Sequence, residues 1–219
     1  MNGAESLVRT LKLSGIDVCF TNPGTSEMHF MAALDRTDAL RCVLGLQENV
    51  VTGAADGYAR MAGKPAATLL HLGPGLANGL ANLHNANKAC TGIVNIVGDH
   101  ATYHIEVDAP LTADVEGIAR PVSDWVKTSP TSEGIAADGA EAVRQATTHP
   151  GRIATLILPA NTAWGEGSEP VAASIPNAPA PPDADKVEAA AKALSSGAAA
   201  ALYLKGNVLR EPGLTFAAK

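Results

Sequence analysis

Aromatic residues are scarce in this chain, at 4% of 219 positions, so a core must be assembled from Ala, Val, Leu and Ile. Charged residues are also few, at 17%, and the balance is acidic, with a formal net charge of −6. That balance argues against a nucleic-acid surface or an anionic membrane as partner. No apolar run is long enough to span a bilayer as a helix. Only three cysteines occur, Cys19, Cys42 and Cys90, odd in number and far apart. They fit neither a disulfide framework nor a metal-ligand spacing and read as buried free thiols in a reducing compartment. The opening Met1-Asn2-Gly3-Ala4-Glu5 lacks the basic-then-apolar order of a secretion signal. The cytoplasm is the expected location.

What is present is a repeat of strand, turn and helix. Leu7, Val8, Leu11 and Leu13 mark an amphipathic helix over residues 4–13, closed by Ser14-Gly15. The apolar runs 16–20, 41–46, 66–71, 92–97 and 151–159 read as strands buried on both faces. Helices are predicted over 28–34, 48–62, 114–119 and 134–149, with another entered through the turn 72–79 and running to about 88, and a docking segment over 121–127 ends in a short strand. Short connections between apolar strands and helices predict an α/β fold, a doubly wound parallel sheet with helices on both faces. Composition then changes: Pro170, Pro176, Pro179, Pro181 and Pro182 lie among Ala and Ser, as in a linker. Beyond it a helix over 185–194, a strand over 198–204 and a helix from 211 look like an incomplete second α/β domain. The expected division is a first domain over 1–165, a linker over 166–184 and a truncated second domain over 185–219. The chain thus reads as a fragment.

In a doubly wound sheet the ligand site lies at the carboxyl ends of the strands. Those ends carry Asn22-Pro23-Gly24-Thr25, Gln47-Glu48, His71-Leu72-Gly73-Pro74-Gly75 and Gly98-Asp99-His100. Pro23 and Gly24 make a stiff turn that brings backbone close to whatever lies above it. Glu27 reads as a carboxylate at the positive end of the following helix. Glu48 sits where strand gives way to helix, with no other charge before Asp56, so poor solvation should raise its proton affinity. Gly53, Ala54, Ala55, Gly57 and Ala59 permit close approach of a neighbouring helix. His71 ends a strand beside a Gly-Pro-Gly turn, a place where a histidine can serve as a structural hydrogen-bonding residue. Asp99, His100 and His104 read as a solvated loop; His29, His84 and His149 read as structural or surface residues. The Gly-Pro-Gly turn lacks both dinucleotide spacing and a Lys-Ser/Thr pair, so it is a poor phosphate loop.

Taken together, Asn22-Pro23-Gly24, Gln47-Glu48, Ala55-Asp56-Gly57-Tyr58-Ala59-Arg60, Gly63-Lys64-Pro65 and Gly73-Pro74-Gly75 with Asn78 resemble the N-terminal pyrimidine-binding domain of thiamine-diphosphate-dependent enzymes. Acetolactate synthases and benzoylformate decarboxylase are the similar subfamilies. The resemblance implies that Glu48 hydrogen-bonds a pyrimidine nitrogen of thiamine diphosphate and drives the aminopyrimidine toward its imino form, which takes the thiazolium proton. It implies that Asn22, Pro23, Gly24, Gly73, Pro74 and Asn78 line the cofactor site and that the substrate is a small 2-oxo acid. Acetolactate synthases usually carry a hydroxyl residue where His71 stands. Benzoylformate decarboxylase has a histidine there, working with a hydroxyl residue that matches Thr25, so His71 and Thr25 become candidate substrate residues and His71 a catalytic one. The diphosphate and its Mg2+ are expected on a C-terminal domain outside these residues, with the site shared between subunits of a homodimer or homotetramer. The second-domain stub leaves FAD open. On this basis the chain is expected to be inert alone, as part of a carboligating synthase or of a decarboxylating lyase. A non-catalytic assembly module and one subunit of a split enzyme remain as alternatives.

Overall fold

The computed structural model describes the backbone of residues 1–219 and every side chain except that of Asn207. Its elements run α1 (Gly3–Leu13), β1 (Val18–Asn22), a 3-10 turn (Thr25–Glu27), α2 (Met28–Thr37), β2 (Arg41–Leu44), α3 (Glu48–Ala62), β3 (Ala66–Leu70), α4 (Leu72–Lys88) and β4 (Ile93–Asp99). There follow α5 (Thr102–Ile105), α6 (Val115–Ala119), β5 (Trp125–Thr128), α7 (Ile135–Thr147), β6 (Ile153–Pro159) and α8 (Ala160–Trp164). The six strands form one sheet in the order β2-β1-β3-β4-β6-β5. All five pairings are parallel. The expected α/β fold, a parallel sheet covered on both faces, is therefore the observed one.

Period-two alternation along the central strands feeds two cores. Ala67, Leu69, Val94, Ile96, Ala154 and Leu156 meet α1, α2 and α7 through Leu7, Leu11, Phe30 and Val143. Their neighbours Ala66, Leu70, Ile93, Val97, Ile153 and Ile157 meet α3, α4 and α6 through Val51, Ala55, Leu76, Leu83 and Val115. On this second face the register places Thr68 beside Asn95 and Asn95 beside Thr155. Thr68 Oγ1 donates to Asn95 Oδ1 at 2.6 Å, and Asn95 Nδ2 donates to Thr155 Oγ1 at 3.0 Å, tying three strands together in the dry interior. Asn95→Ala strands the Thr68 hydroxyl without its acceptor. We expect a loss of about 2–3 kcal/mol of unfolding free energy, read as a lower urea midpoint at unchanged slope.

Several boundary expectations change. The β2 strand is an edge strand, exposed along most of its length, because among the described residues it pairs with β1 on one side and has no strand on the other. Cys42 lies on it and is exposed, and Cys90 is half-buried, so only Cys19 is the buried thiol expected of all three; burial pushes that thiol well up. The proline-containing stretch after α8 begins as a docked segment. Ser6 Oγ donates to Ser168 O at 2.7 Å, and the Val171 and Ala173 amides donate to the hydroxyls of Thr10 on α1 and of Ser14, which caps its C-terminus.

The chain divides into compact units 1–177 and 178–219. The second holds α9 (Ala184–Leu194), capped by Asp183 Oδ1, a 3-10 turn (Gly206–Leu209) and α10 (Gly213–Ala217). The strand expected over 198–204 is absent among the described residues; the segment is irregular. A parallel strand needs a neighbour for its N–H and C=O groups, and this Ala-rich run has none. No helix among the described residues is long and apolar enough to cross a membrane.

Candidate active site

Strand order sets where a cleft must open. From β1 the chain moves outward to β2, then crosses to β3 on the other side of β1. The helix that follows β1 and the helix that follows β2 accordingly pack on opposite faces. The crevice between the carboxyl ends of β1 and β3 is thus the topological switch point, where open α/β sheets bind ligands. Into it come the Asn22–Glu27 turn after β1, the start of α3, and the His71–Gly75 turn after β3.

Each element fixes its part of the crevice locally. Asn22 Nδ2 donates to Gly45 O at 2.8 Å, tying the end of β1 to the loop after β2. Gln47 caps α3, its Oε1 accepting from the Asn49 and Val50 amides at 2.7 and 3.2 Å. Glu48 is thereby placed in the first turn, where the free N–H groups favour a carboxylate. Its residue surface is 9% exposed, and Oε2 accepts from Asn78 Nδ2 of α4 at 3.0 Å. The α3 and α4 helices lie close enough that a Cβ on Gly53 would sit 2.7 Å from Asn82 Nδ2, and one on Gly79 2.9 Å from Thr52 Cγ2. Small residues were expected to allow this approach. It is fastened by Thr52 Oγ1 to Gly79 O at 3.1 Å and by Asn82 Nδ2 to Asn49 O at 2.7 Å.

The entry to α4 is strained. Leu72, buried, has φ +53°, a left-handed conformation that costs a bulky side chain about 1 kcal/mol or more. This bend lets β3 turn directly into helix, with His71 aimed toward the β1 turn. A Cβ on Gly75 would sit 3.1 Å from Glu48 Oε1 and 3.3 Å from His71 Cβ, so Gly75 separates the two side chains. Gly73 packs against Ala113, whose Cβ would be 2.6 Å from a Cβ at that position.

His71 Nδ1 lies 2.7 Å from Glu27 Oε2, whereas no hydrogen bond joins it to Thr25 among the described residues. Thr25 is exposed on the same turn. Glu27, expected as a carboxylate at the positive end of the following helix, is buried to 1% exposure and also accepts the Gly24 amide at 2.7 Å. Burial pushes its carboxyl above the ordinary carboxylate range, against the opposing pull of the Gly24 N–H and the His71 ring. Asp99 is likewise no member of a solvated loop. It is 8% exposed, and its carboxyl is pushed up by burial although the His100 amide donates to Oδ1 at 2.8 Å. The His100 and His104 rings meet edge to face with centroids 5.4 Å apart. His29 stands edge to face with Trp164, and His84 and His149 are exposed.

For Glu27 and Asp99 the folded-state pKa lies above the unfolded one. Their stabilising contribution is complete below the unfolded values, near 4.5 and 3.8, and is lost as pH rises through the folded values. Urea unfolding from about pH 4 upward should show this decline. In Glu27→Gln the Glu27 part of the slope disappears.

The arrangement can therefore present a pinned, poorly solvated carboxyl and an imidazole on opposite sides of a glycine, between two helix N-termini. Residues 1–118 match the family model described as "Thiamine pyrophosphate enzyme, N-terminal TPP binding domain". The chain belongs to the thiamine pyrophosphate enzyme family. It is 53% identical over 221 aligned residues to a Mycobacterium tuberculosis protein provisionally named acetolactate synthase large subunit IlvX, covering 100% of this chain and 42% of that protein. Identity to the benzoylformate decarboxylase of Pseudomonas aeruginosa is 30% over 150 residues, or 68% of this chain and 28% of that one. Among solved structures, a provisionally named thiamin diphosphate-dependent enzyme from Mycobacterium smegmatis superposes with a TM-score of 0.80 at 26% identity. That match covers 90% of this chain and 38% of the other. The 4-hydroxybenzoylformate decarboxylase of Rhodococcus jostii superposes with a TM-score of 0.79 at 23% identity, a likeness of fold. This thiamine pyrophosphate enzyme domain spans less than half the length of each of these relatives.

Proposed function

We propose that the chain is the pyrimidine-binding part of a thiamine-diphosphate-dependent enzyme that decarboxylates 2-oxo acids and joins the product to an acceptor, as an acetolactate synthase does. One observation carries this reading: Glu48 is nine-tenths buried at the switch point, with Oε2 held by Asn78 and Oε1 facing the space left by Gly75. A carboxyl so placed suits a cofactor that offers a ring nitrogen. The space beside Gly75, which a side chain would fill, fits that group. When bound, thiamine diphosphate supplies an acidic thiazolium carbon and an electron sink for decarboxylation.

The chain's own residues hold and poise. Glu48 Oε1 carries or accepts the proton shared with a ring nitrogen, while Asn78 keeps Oε2 from turning to water. Asn22, Pro23 and Gly24 on one side and Gly73, Pro74 and Asn78 on the other form the walls. His71, with Thr25 near the mouth, faces the substrate side and moves protons there. Magnesium and the diphosphate are assigned to a further domain, contributed by a second subunit of a homodimer or homotetramer, and the chain alone is inactive. FAD is left open. The division at 1–165, 166–184 and 185–219 and a reducing, cytoplasmic setting belong to the same proposal.

The imidazole at position 71 favours a second reading, a benzoylformate decarboxylase-like lyase. Carbon dioxide release from pyruvate and from benzoylformate, by a protein joining this chain to a diphosphate-binding domain, separates the two. Turnover of pyruvate supports the synthase and turnover of benzoylformate alone the lyase. Silence with both, despite bound cofactor, would show a domain retained for assembly.

A further inference from the structure

Glu27 has no part in the mechanism above, yet it is the most deeply buried acid in the crevice. Its side chain is wholly inaccessible. Oε2 takes both the Gly24 amide, at 2.7 Å, and His71 Nδ1, at 2.7 Å. Oε1 is buried with no hydrogen-bond partner among the described residues. The pocket that holds it is made by glycine: a Cβ on Gly98 would lie 1.6 Å from Oε1 and 2.4 Å from Cδ. The imidazole is confined as closely. A Cβ on Gly24 would lie 2.3 Å from both Cε1 and Nδ1 of His71 and 2.5 Å from Nε2, so the ring rests directly on the Gly24 backbone. Two glycines, one in the turn after β1 and one on β4, thus leave room for a carboxyl and a ring in one fixed relation.

That relation decides where the imidazole proton sits. The Gly24 N–H is an obligatory donor, so Oε2 is an acceptor whatever else happens. If the carboxyl is ionised, Oε2 accepts from Nδ1–H as well. If the carboxyl is protonated on Oε1, Oε2 is the carbonyl oxygen and still accepts from Nδ1–H. Nδ1 therefore carries a proton whenever Glu27 is ionised or holds its proton on Oε1, and Nε2, which makes no hydrogen bond among the described residues, is then the nitrogen left for chemistry. A histidine free in water prefers the opposite tautomer, with the proton on Nε2. We infer that Glu27 is a positioning residue for His71, locking its ring on Gly24 as the Nδ1–H tautomer and presenting Nε2 as the proton-accepting atom of the substrate side. The inference deepens the proposed function, since it rests on His71 acting at that site, but its structural content is testable without cofactor or turnover.

The test is long-range proton–nitrogen correlation spectroscopy of the 219-residue chain with labelled histidine, at a pH where His71 is neutral. The His71 signals are identified by their loss in His71→Asn. The expected wild-type result is the Nδ1–H pattern at His71. Glu27→Gln, which keeps a carbonyl acceptor, should retain it. Glu27→Leu should convert it to the Nε2–H pattern, with the amide spectrum elsewhere intact. An Nε2–H pattern in the wild type overturns the inference even if neither variant folds, and so does an Nδ1–H pattern that survives in folded Glu27→Leu. Failure of carbon dioxide release would leave the tautomer result standing. The reverse holds too, so the two claims fail separately.

Discussion

Glu48→Gln is expected to leave cofactor binding largely intact in the complete enzyme and to slow exchange of the thiazolium proton by about 10²–10⁴-fold. The substitution is close to isosteric, and the Gln carbonyl can still accept from Asn78 Nδ2, which now holds Glu48 Oε2 at 3.0 Å. What disappears is the acid itself. An amide cannot share a proton with a ring nitrogen and return it, so the step that depends on this relay loses its driving group while the walls of the site stay in place. Deuterium exchange at the thiazolium carbon, quenched in acid and read by proton spectroscopy, measures this directly. An exchange rate equal to that of the wild type would remove Glu48 from the proposed role whatever the effect on turnover.

Gly98→Ala is expected to be the most disruptive single-methyl change near the crevice. The added Cβ would fall 1.6 Å from Glu27 Oε1, 2.4 Å from Cδ and 2.7 Å from Cγ, so the whole carboxyl must leave its pocket. The side chain cannot swing into water, because Glu27 is buried on every side. Moving it breaks the bonds to the Gly24 amide and to His71. Overpacking alone costs about 1–3 kcal/mol. Leaving a buried carboxyl unpaired adds about 1–3 kcal/mol, and the half-buried Gly24 amide loses its acceptor as well. We expect a loss of about 3 kcal/mol or more, seen as a large drop in urea midpoint, together with loss of the Nδ1–H signature at His71. Gly98→Ala with Glu27→Ala, which empties the pocket, should recover part of the stability. No recovery would mean that the two side chains do not compete for one space.

The parts that sequence pattern reveals and the parts it hides have different physical origins. Apolar runs separated by turn residues announce β1, β3, β4 and β6, because strands buried on both faces have no polar side to blur the signal. The Gly and Ala positions of α3 announce its contact with α4 for a similar reason: close backbone approach demands small residues. The edge position of β2 is not legible, since Cys42-Val43-Leu44 is as apolar as a central strand and only pairing order exposes it. The segment 198–204 looks like a strand by hydropathy, but a strand exists only by its neighbour.

Within the site, Glu48 is read from the strand-to-helix turn and Asn78 from the resemblance, and the two are found in contact. Glu27 is missed as a partner for His71 because the two are 44 residues apart and are joined only by the β1–β3 pairing. One signal was available. An acid three residues after Gly24, on the rim where another strand ends in Gly98, is badly placed for solvent if both glycines mark close packing. Asp99 is hidden likewise: its place in a loop-like Gly-Asp-His run suggests water, but β4 extends through it and buries it.

The most direct test of the central claim is to map thiamine diphosphate binding on the 219-residue chain by backbone amide shifts. The account predicts saturable shifts confined to one rim, at Gly24, Glu48, Asn49, Gly75 and Asn78, with β5 and the outer face of α1 unmoved. Saturable shifts clustered elsewhere, such as around Arg9 and Lys12, with that rim silent, would contradict it.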